Sequence, residues 1–295
     1  MSRLDTGILR CPASGQHLSW AASGETLISE DGQFSYPVKD KVYYLHNADG
    51  GQKDGFDYQD HYQKDAEAFD YFQTWEDPAS VHENRRLHET ILAEQPQRTQ
   101  RVLDVGCGSA WVAAHFQQQG GVEVYSMDIS TVNPEKAVSK YPFRGHFGVV
   151  ADVFQLPFAV ESFDLIIASE IIEHVPDPAA FLRALLPALR KGGRLIVTTP
   201  HDEKIAHSLC IHCNQSTPHH AHLHSFTPAS IRELLPTEVQ AGAKTKTFVN
   251  KVLLHARTHK LLQYFPYKMW SALDGLTNTL IPKTARLLLR VQRPE

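Results

Sequence analysis

Cysteine is scarce in this chain, four in 295 residues, and the four make no even, closely spaced framework of the kind that staples small secreted domains. A disulfide scaffold is thereby excluded and a reducing compartment implied. No apolar stretch approaches the ~18 residues that a membrane-spanning helix needs, and the start shows no basic-then-apolar leader pattern. A soluble, cytoplasmic protein is therefore expected. Internal repeats and low-complexity tracts are also missing. Neither sign of charge dominates: 29 Lys and Arg stand against 33 Asp and Glu, a net charge of -4. That balance gives no electrostatic case for wholesale nucleic-acid binding. The length allows one large core plus an appendage.

Against these absences, a nucleotide-type site stands out. Residues 102–109 read VLDVGCGS, an apolar run followed by Asp104, Gly106 and Gly108 in alternation. Such a run reads as a buried parallel strand, and the glycines let the backbone turn sharply and approach a ligand with no Cβ in the way. Asp128 closes a second apolar run, where a carboxylate can take both hydroxyls of a ribose. The dinucleotide fingerprint requires a third glycine three positions after Gly108, and Trp111 stands there. An acid two residues before the first glycine is foreign to that fingerprint too, and a pyrophosphate would be repelled by it. A cationic ligand such as S-adenosylmethionine is favoured. The plainer alternative is a tight strand-to-helix turn whose glycines serve the turn alone.

Four more segments follow in order: MDIS at 127–130, ADVFQLPF at 151–158, FDLIIASEIIEHVPDP at 163–178 and LRKGGRLIVTTP at 189–200. With the glycine loop, they resemble the Rossmann-like S-adenosylmethionine-dependent methyltransferases over roughly residues 84–237. The likeness is nearest to the small-molecule branch of the ubiquinone-biosynthesis O-methyltransferases. It implies that MDIS ends the ribose-binding strand and that Asp152 accepts from the exocyclic amine of adenine. It further implies a fourth strand with a Glu-His turn and a fifth strand after a Gly-Gly turn. The cofactor contacts expected on these grounds are Asp104, Gly106, Cys107, Gly108, Asp128, Ile129, Asp152, Val153 and Ser169.

Alternating strands and helices predict an α/β fold with a doubly wound, seven-stranded, mostly parallel sheet. Strands are expected at 101–105, 123–127, 146–150, 163–168 and 194–198, with a last antiparallel pair at 245–249 and 286–291 as the resemblance implies. Helices are expected at 84–94 and 109–119 and from Pro134, Pro178 and Pro228, the one from Pro178 ending near residues 191–192. The chain divides into a small ribbon-like N-terminal module (1–48), a lid or linker segment (49–83) and a methyltransferase domain (84–295) with a helical insertion at 251–283. The module's LRCP…YPVKDKVYYL pattern resembles the zinc-ribbon-like domain of the tRNA-methyltransferase activator family. Cys11 has no cysteine nearby, so a four-ligand zinc site cannot be built locally. A metal-free structural or substrate-docking unit is implied, with an irregular extension as the alternative. In the lid segment, Tyr58 and Tyr62 are spaced to share a helical face.

A sulfonium carries an activated methyl group, so transfer chiefly needs the nucleophile held in line in a dry pocket. His174 is the candidate general base, with a structural histidine as the alternative. Glu173 would orient the loop or cap the turn, and Cys107 has no nucleophilic part. Residues 201–226 hold seven of the 17 histidines. Within them Cys210, Cys213, His219 and His222 suit a tetrahedral structural zinc, or else the stretch is a polar substrate loop. From 244 to 295, ten Lys and Arg face two acids. In the insertion, Leu254, Leu261, Leu262, Phe265 and Met269 fall near one helical face, with Arg257, His259, Lys260 and Lys268 on the polar side. Pro266 should break that segment. The insertion either closes the core or offers cations to an anionic or membrane-associated acceptor. The expected activity is methylation of a small-molecule or lipid-linked acceptor, on oxygen or nitrogen. An RNA methyltransferase and a noncatalytic methyltransferase-fold regulatory subunit are the alternatives, and the missing glycine disfavours a nicotinamide oxidoreductase.

Overall fold

The computed structural model describes residues 4–46, 52–53, 56–73, 77–209, 216–218 and 221–294. The first strands, β1 (Leu18–Trp20), β2 (Thr26–Ser29), β3 (Ser35–Lys39) and β4 (Val42–Tyr44), form an antiparallel meander. The short β5 (Gln52–Lys53) and β6 (Phe56–Asp57) pair with each other and lead into α1 (Tyr58–Ala68). Then come α2 (Pro78–Ala93), β7 (Arg101–Val105), α3 (Trp111–Gln117), β8 (Glu123–Asp128), α4 (Val132–Lys140) and β9 (His146–Val150). They are followed by β10 (Phe163–Ser169), α5 (Pro178–Leu185), β11 (Leu189–Pro200) and the paired β12 (His207–Leu209) and β13 (Ser216–Pro218). The chain ends with α6 (Pro228–Glu233), α7 (Thr237–Gln240), β14 (Lys244–Asn250), α8 (Lys251–His255), α9 (His259–Leu262), α10 (Tyr267–Leu280) and β15 (Thr284–Gln292).

The main sheet has eleven strands rather than seven, in the order β1-β2-β3-β4-β9-β8-β7-β10-β11-β15-β14. From β9 to β11 the strands are parallel, and β15 runs antiparallel between β11 and β14. The additional strands come from the N-terminal meander, whose β4 lies parallel to β9 with Val42 opposite Gly148. A Cβ on Gly148 would sit 3.1 Å from a Val42 methyl and 3.0 Å from the Pro134 carbonyl, so the close approach depends on that glycine. One apolar core joins Leu9, Leu18, Leu27 and Tyr43 of the meander to Tyr125, Phe147 and Phe163 of the parallel strands. On the opposite face Leu87, Phe116, Ile167, Phe248, Leu262 and Trp270 pack together.

Local chemistry fixes the helix ends. Asp77 accepts from the Ser80 N–H at 2.9 Å with Pro78 in the first turn, so α2 starts at Pro78, ahead of the residue 84 expected. Asp177 caps α5 in the same way at 2.8 Å. That helix stops at Leu185, short of the 191–192 expected, because Pro187 cannot continue it and a tight turn (Leu186–Ala188) leads straight into β11. In the insertion Pro266 does separate α9 from α10. The expected apolar face is buried only in part: Leu254, Leu262 and Phe265 pack on the core, and Leu261 and Met269 do not. Leu262 and Trp270 face the core, while Leu261 and Met269 are 64% and 56% exposed and His259, assigned to the polar side, is buried.

Candidate active site

The carboxyl ends of β7, β8 and β10 meet at one edge of the sheet. Gly106 turns the chain there with φ +67°, and a Cβ on it would lie 2.2 Å from Cδ1 of Ile171, so any other residue would be strained and would have to displace the Ile171 side chain. The Cys107 N–H donates to the Met127 carbonyl at 3.0 Å, tying the β7 and β8 ends together. Burial pushes the Cys107 thiol up, which leaves it inert. Asp104 is 2% exposed and its Oδ2 has no hydrogen-bond partner. Burial, then the neighbouring Asp128 charge, drives its pKa well above the usual carboxylate range. Asp128 accepts from the Ser130 N–H (3.0 Å), the Ser130 hydroxyl (2.9 Å) and Asn133 (3.0 Å). Burial outweighs these bonds and raises its pKa as well. Ile129 and Val153 are half-buried beside this edge, Val153 packing on the meander-side core. Asp152 caps the short turn Val153–Gln155, its Oδ1 accepting from Phe154 N–H at 2.9 Å. Its Oδ2 accepts from the Tyr58 hydroxyl of α1. Ser169, at the end of β10, lies 3.0 Å from the Thr198 hydroxyl.

Just past Ser169 the chain carries a second cluster. Glu170 pairs with Arg286, which also reaches Glu83 at 2.9 Å. Glu173 is 1% exposed and neither carboxylate oxygen has a hydrogen-bond partner among the described residues; the Thr199 hydroxyl stands beside it without good geometry. Of the two expected roles for Glu173, its side chain caps nothing among the described residues, while its backbone carbonyl ties the loop by accepting the N–H groups of Leu223 (2.8 Å) and His224 (3.2 Å). Burial and the nearby Glu170 charge hold its carboxyl well above the usual range. His174 has Nδ1 3.3 Å from the Ala221 carbonyl, and its ring meets that of His222 edge to face at 4.8 Å. Burial, then His222, lowers its pKa to about 4. His222 in turn has Nδ1 2.6 Å from Glu203. Glu173, His174 and His222 offer ligand atoms that all lie within 4.8 Å of one another. They fit a metal ion: the carboxylate is orphaned, and each imidazole turns Nδ1 to an acceptor, which leaves Nε2 as the lone-pair nitrogen.

Residues 72–238 match a family described as a methyltransferase domain. The chain belongs to that family. A chloroplastic tocopherol O-methyltransferase of Arabidopsis thaliana is 29% identical over 124 residues, 40% of this chain and 35% of that protein. A ubiquinone biosynthesis O-methyltransferase of Ralstonia nicotianae is 31% identical over 153 residues, 46% of this chain and 60% of that protein. The chain thus spans less than two thirds of either relative. The crystal structure of an S-adenosylmethionine dependent methyltransferase from Mesorhizobium loti has the same fold, with TM-score 0.50 and 20% identity over 72% of this chain and all (100%) of that one.

In this methyltransferase-domain chain the sequence-derived cofactor residues converge on one edge, as does His174. Of the expected zinc set, Cys210, Cys213 and His219 lie outside the described residues, and His222 stands beside Glu173 and His174. The lid segment reaches both clusters. Tyr58 holds Asp152, Gln63 accepts from the Thr131 N–H at 2.9 Å, and the Tyr62 hydroxyl donates to the His174 carbonyl at 3.0 Å. Tyr71 pairs with Asp65, and a Cβ on Gly108 would touch its ring at 3.8 Å. The Glu83–Arg286–Glu170 link was not foreseen, and no local spacing could have shown it, since Glu170 and Arg286 are 116 residues apart.

Proposed function

We propose that the chain binds S-adenosylmethionine at the Gly106–Asp128 edge and methylates a hydroxyl of a small-molecule or lipid-linked acceptor. One observation carries the reading: buried Asp104, with half-buried Asp128 beside it, faces a glycine turn with one oxygen unpartnered and no cation near it among the described residues. Such a site repels a pyrophosphate and welcomes a ligand with an ammonium and a sulfonium. Bound there, S-adenosylmethionine supplies the activated methyl group. Asp128 has lone pairs left for ribose hydroxyls after its three bonds, and Asp152 can take the adenine amine where Tyr58 now donates. Tyr58, Tyr62 and Gln63 close over the site from α1 and exclude water. The O-methyltransferase relatives support oxygen as the acceptor atom.

His174 is proposed as the group that handles the acceptor's proton. Its Nδ1 is turned to the Ala221 carbonyl, leaving Nε2 free either to take a proton or to join Glu173 and His222 around a divalent cation. Bound there, a cation would lower the pKa of an acceptor hydroxyl. The N-terminal meander is read as the structural wall of the sheet; Cys11 is buried with its sulfur 3.2 Å from the Tyr36 hydroxyl, away from any metal role. Calorimetry with S-adenosylmethionine tests the main reading: binding is expected in the wild type and lost in Gly106→Val. Equal affinity in the two, with the fold intact, would refute it.

A further inference from the structure

The C-terminal insertion carries a surface that neither the core nor the site explains. α10 is apolar on both sides. Trp270 faces inward, whereas Met269, Ala272, Leu276 and Leu280 recur at the spacing of one outward stripe. Leu276 and Leu280 are 59% and 73% exposed, and Tyr264, before α10, is 79% exposed. These side chains are displayed by a fixed scaffold. Arg85 donates to the Gln263 carbonyl at 2.8 Å and Arg86 to the Phe265 carbonyl at 2.9 Å, pinning the α9–α10 turn to α2. Asp274 accepts the N–H groups of Val249 (3.1 Å) and Asn250 (2.7 Å), pinning α10 to β14. A contiguous apolar stripe on a well-anchored helix marks an interaction surface.

Charge decides the occupant. Lys251, Arg257, Lys260, Lys268 and Lys283 are exposed within the same insertion, and the single acid between residues 251 and 283 is the buried Asp274. A second copy meeting the stripe about a twofold axis would set these cations against themselves. An anionic lipid surface instead takes the apolar side chains at the acyl boundary while the lysines stay among the headgroups. We propose that α8–α10 dock the protein on an anionic membrane surface. The insertion leaves the sheet after Asn250, at the edge where β11 also ends and the site lies, so an acceptor dissolved in the bilayer would be within its neighbourhood. Docking stands independently of the methyltransferase reading.

The test is co-sedimentation of the full chain with phosphatidylglycerol–phosphatidylcholine vesicles and with phosphatidylcholine alone. Binding is expected on the former only, weakening as salt rises. Each cation near an anionic surface counts for roughly fivefold, so Lys260→Gln with Lys268→Gln should lower partitioning on the order of 30-fold. Leu276→Ser with Leu280→Ser should abolish it at every salt, and S-adenosylmethionine affinity, measured in parallel, should not change in either variant. The proposal is overturned by absence of wild-type binding at low salt, by equal binding to neutral vesicles, or by undiminished binding of both variants. It is also overturned if Leu276→Ser with Leu280→Ser removes a concentration-dependent dimer, which would assign the stripe to a second copy.

Discussion

Asp104 and Asp128 lie at the ends of neighbouring strands, Asp104 buried and Asp128 half-buried; burial and then the Asp128 charge make Asp104 harder to ionise. Fold stability gains nothing from such a pair; a cationic ligand does. Asp104→Asn should therefore raise the thermal midpoint while weakening S-adenosylmethionine by roughly 1–3 kcal/mol, the range for losing a charged partner. The sign of the pH effect follows from the raised folded pKa. The ionised form is disfavoured on folding, so the penalty grows as pH rises through that pKa, and the gain in midpoint should be larger at pH ~8 than at pH ~5. A variant that is both less stable and unchanged in affinity would refute this account. The orphaned Glu173 sets up a second measurement. If it holds a divalent cation with His174 and His222, the purified protein should bind Mn2+ or Zn2+ at about one equivalent, and Glu173→Gln and His222→Asn should each lose it. A metal-free protein that binds none on titration returns His174 to the role of proton acceptor alone. Asp104, Gly106 and Asp128 were legible because they sit in short backbone motifs whose spacing is the chemistry. Glu203 and Arg286 were not, because each reaches its partner only through tertiary contact.

Arg86 shows how the insertion became an ordered element. Its side chain is wholly buried in α2, donates to the carbonyls of Leu262 and Phe265, and pairs with Glu89 at 2.7 Å. The Leu262 carbonyl ends α9 and also accepts the Phe265 N–H at 3.1 Å, and the Phe265 carbonyl lies in the turn that follows. Arg86→Leu fills the volume and leaves the Leu262 carbonyl its Phe265 N–H, but it takes the charged donor from both carbonyls, so unfolding in urea should report a loss of roughly 2–4 kcal/mol. S-adenosylmethionine affinity should hold, because Arg86 touches no residue of the cofactor edge. A loss below about 1 kcal/mol would show that the insertion is held by Asp274 and Asn250 instead. Helix starts at Pro178 and Pro228 could be read from cap and proline; the start of α2 was missed only because Asp77-Pro78 fell within the stretch assigned to the lid. The inward face of the insertion was legible only in part, at Leu254, Leu262 and Phe265. Its residues are apolar on two sides, and periodicity alone does not say which side has a partner.

Joining the meander to the parallel strands makes the chain one sheet with cores on both faces. Sequence patterns gave the alternating strands and a small ribbon-like module, yet nothing local relates Val42 to Gly148, so the module was read as standing beside a seven-stranded sheet. The shared sheet has a consequence in acid. His146 is fully buried in β9, with Nε2 2.9 Å from the Ser126 hydroxyl of β8 and Nδ1 2.8 Å from the Tyr141 carbonyl. That arrangement suits a neutral ring that donates from Nδ1 and accepts at Nε2; a proton on Nε2 leaves it facing the Ser126 hydroxyl without its acceptor role. Burial lowers the His146 pKa to about 4, and His82 and His88 are lowered to about 4 for the same first reason. A depressed folded pKa means the unfolded chain binds more protons. Their contribution is thus present above the unfolded value of about 6.5 and lost as pH falls from there toward 4. Because β9 lies between the meander and the parallel strands, the acid transition should involve the whole chain at once, with far-ultraviolet and near-ultraviolet circular dichroism falling together. His146→Asn should be less stable at pH ~7 yet lose less stability on going to pH ~5 than the wild type does. Equal urea midpoints for the wild type at those two pH values, or a meander that melts ahead of the rest, would refute the link between this histidine and the single sheet.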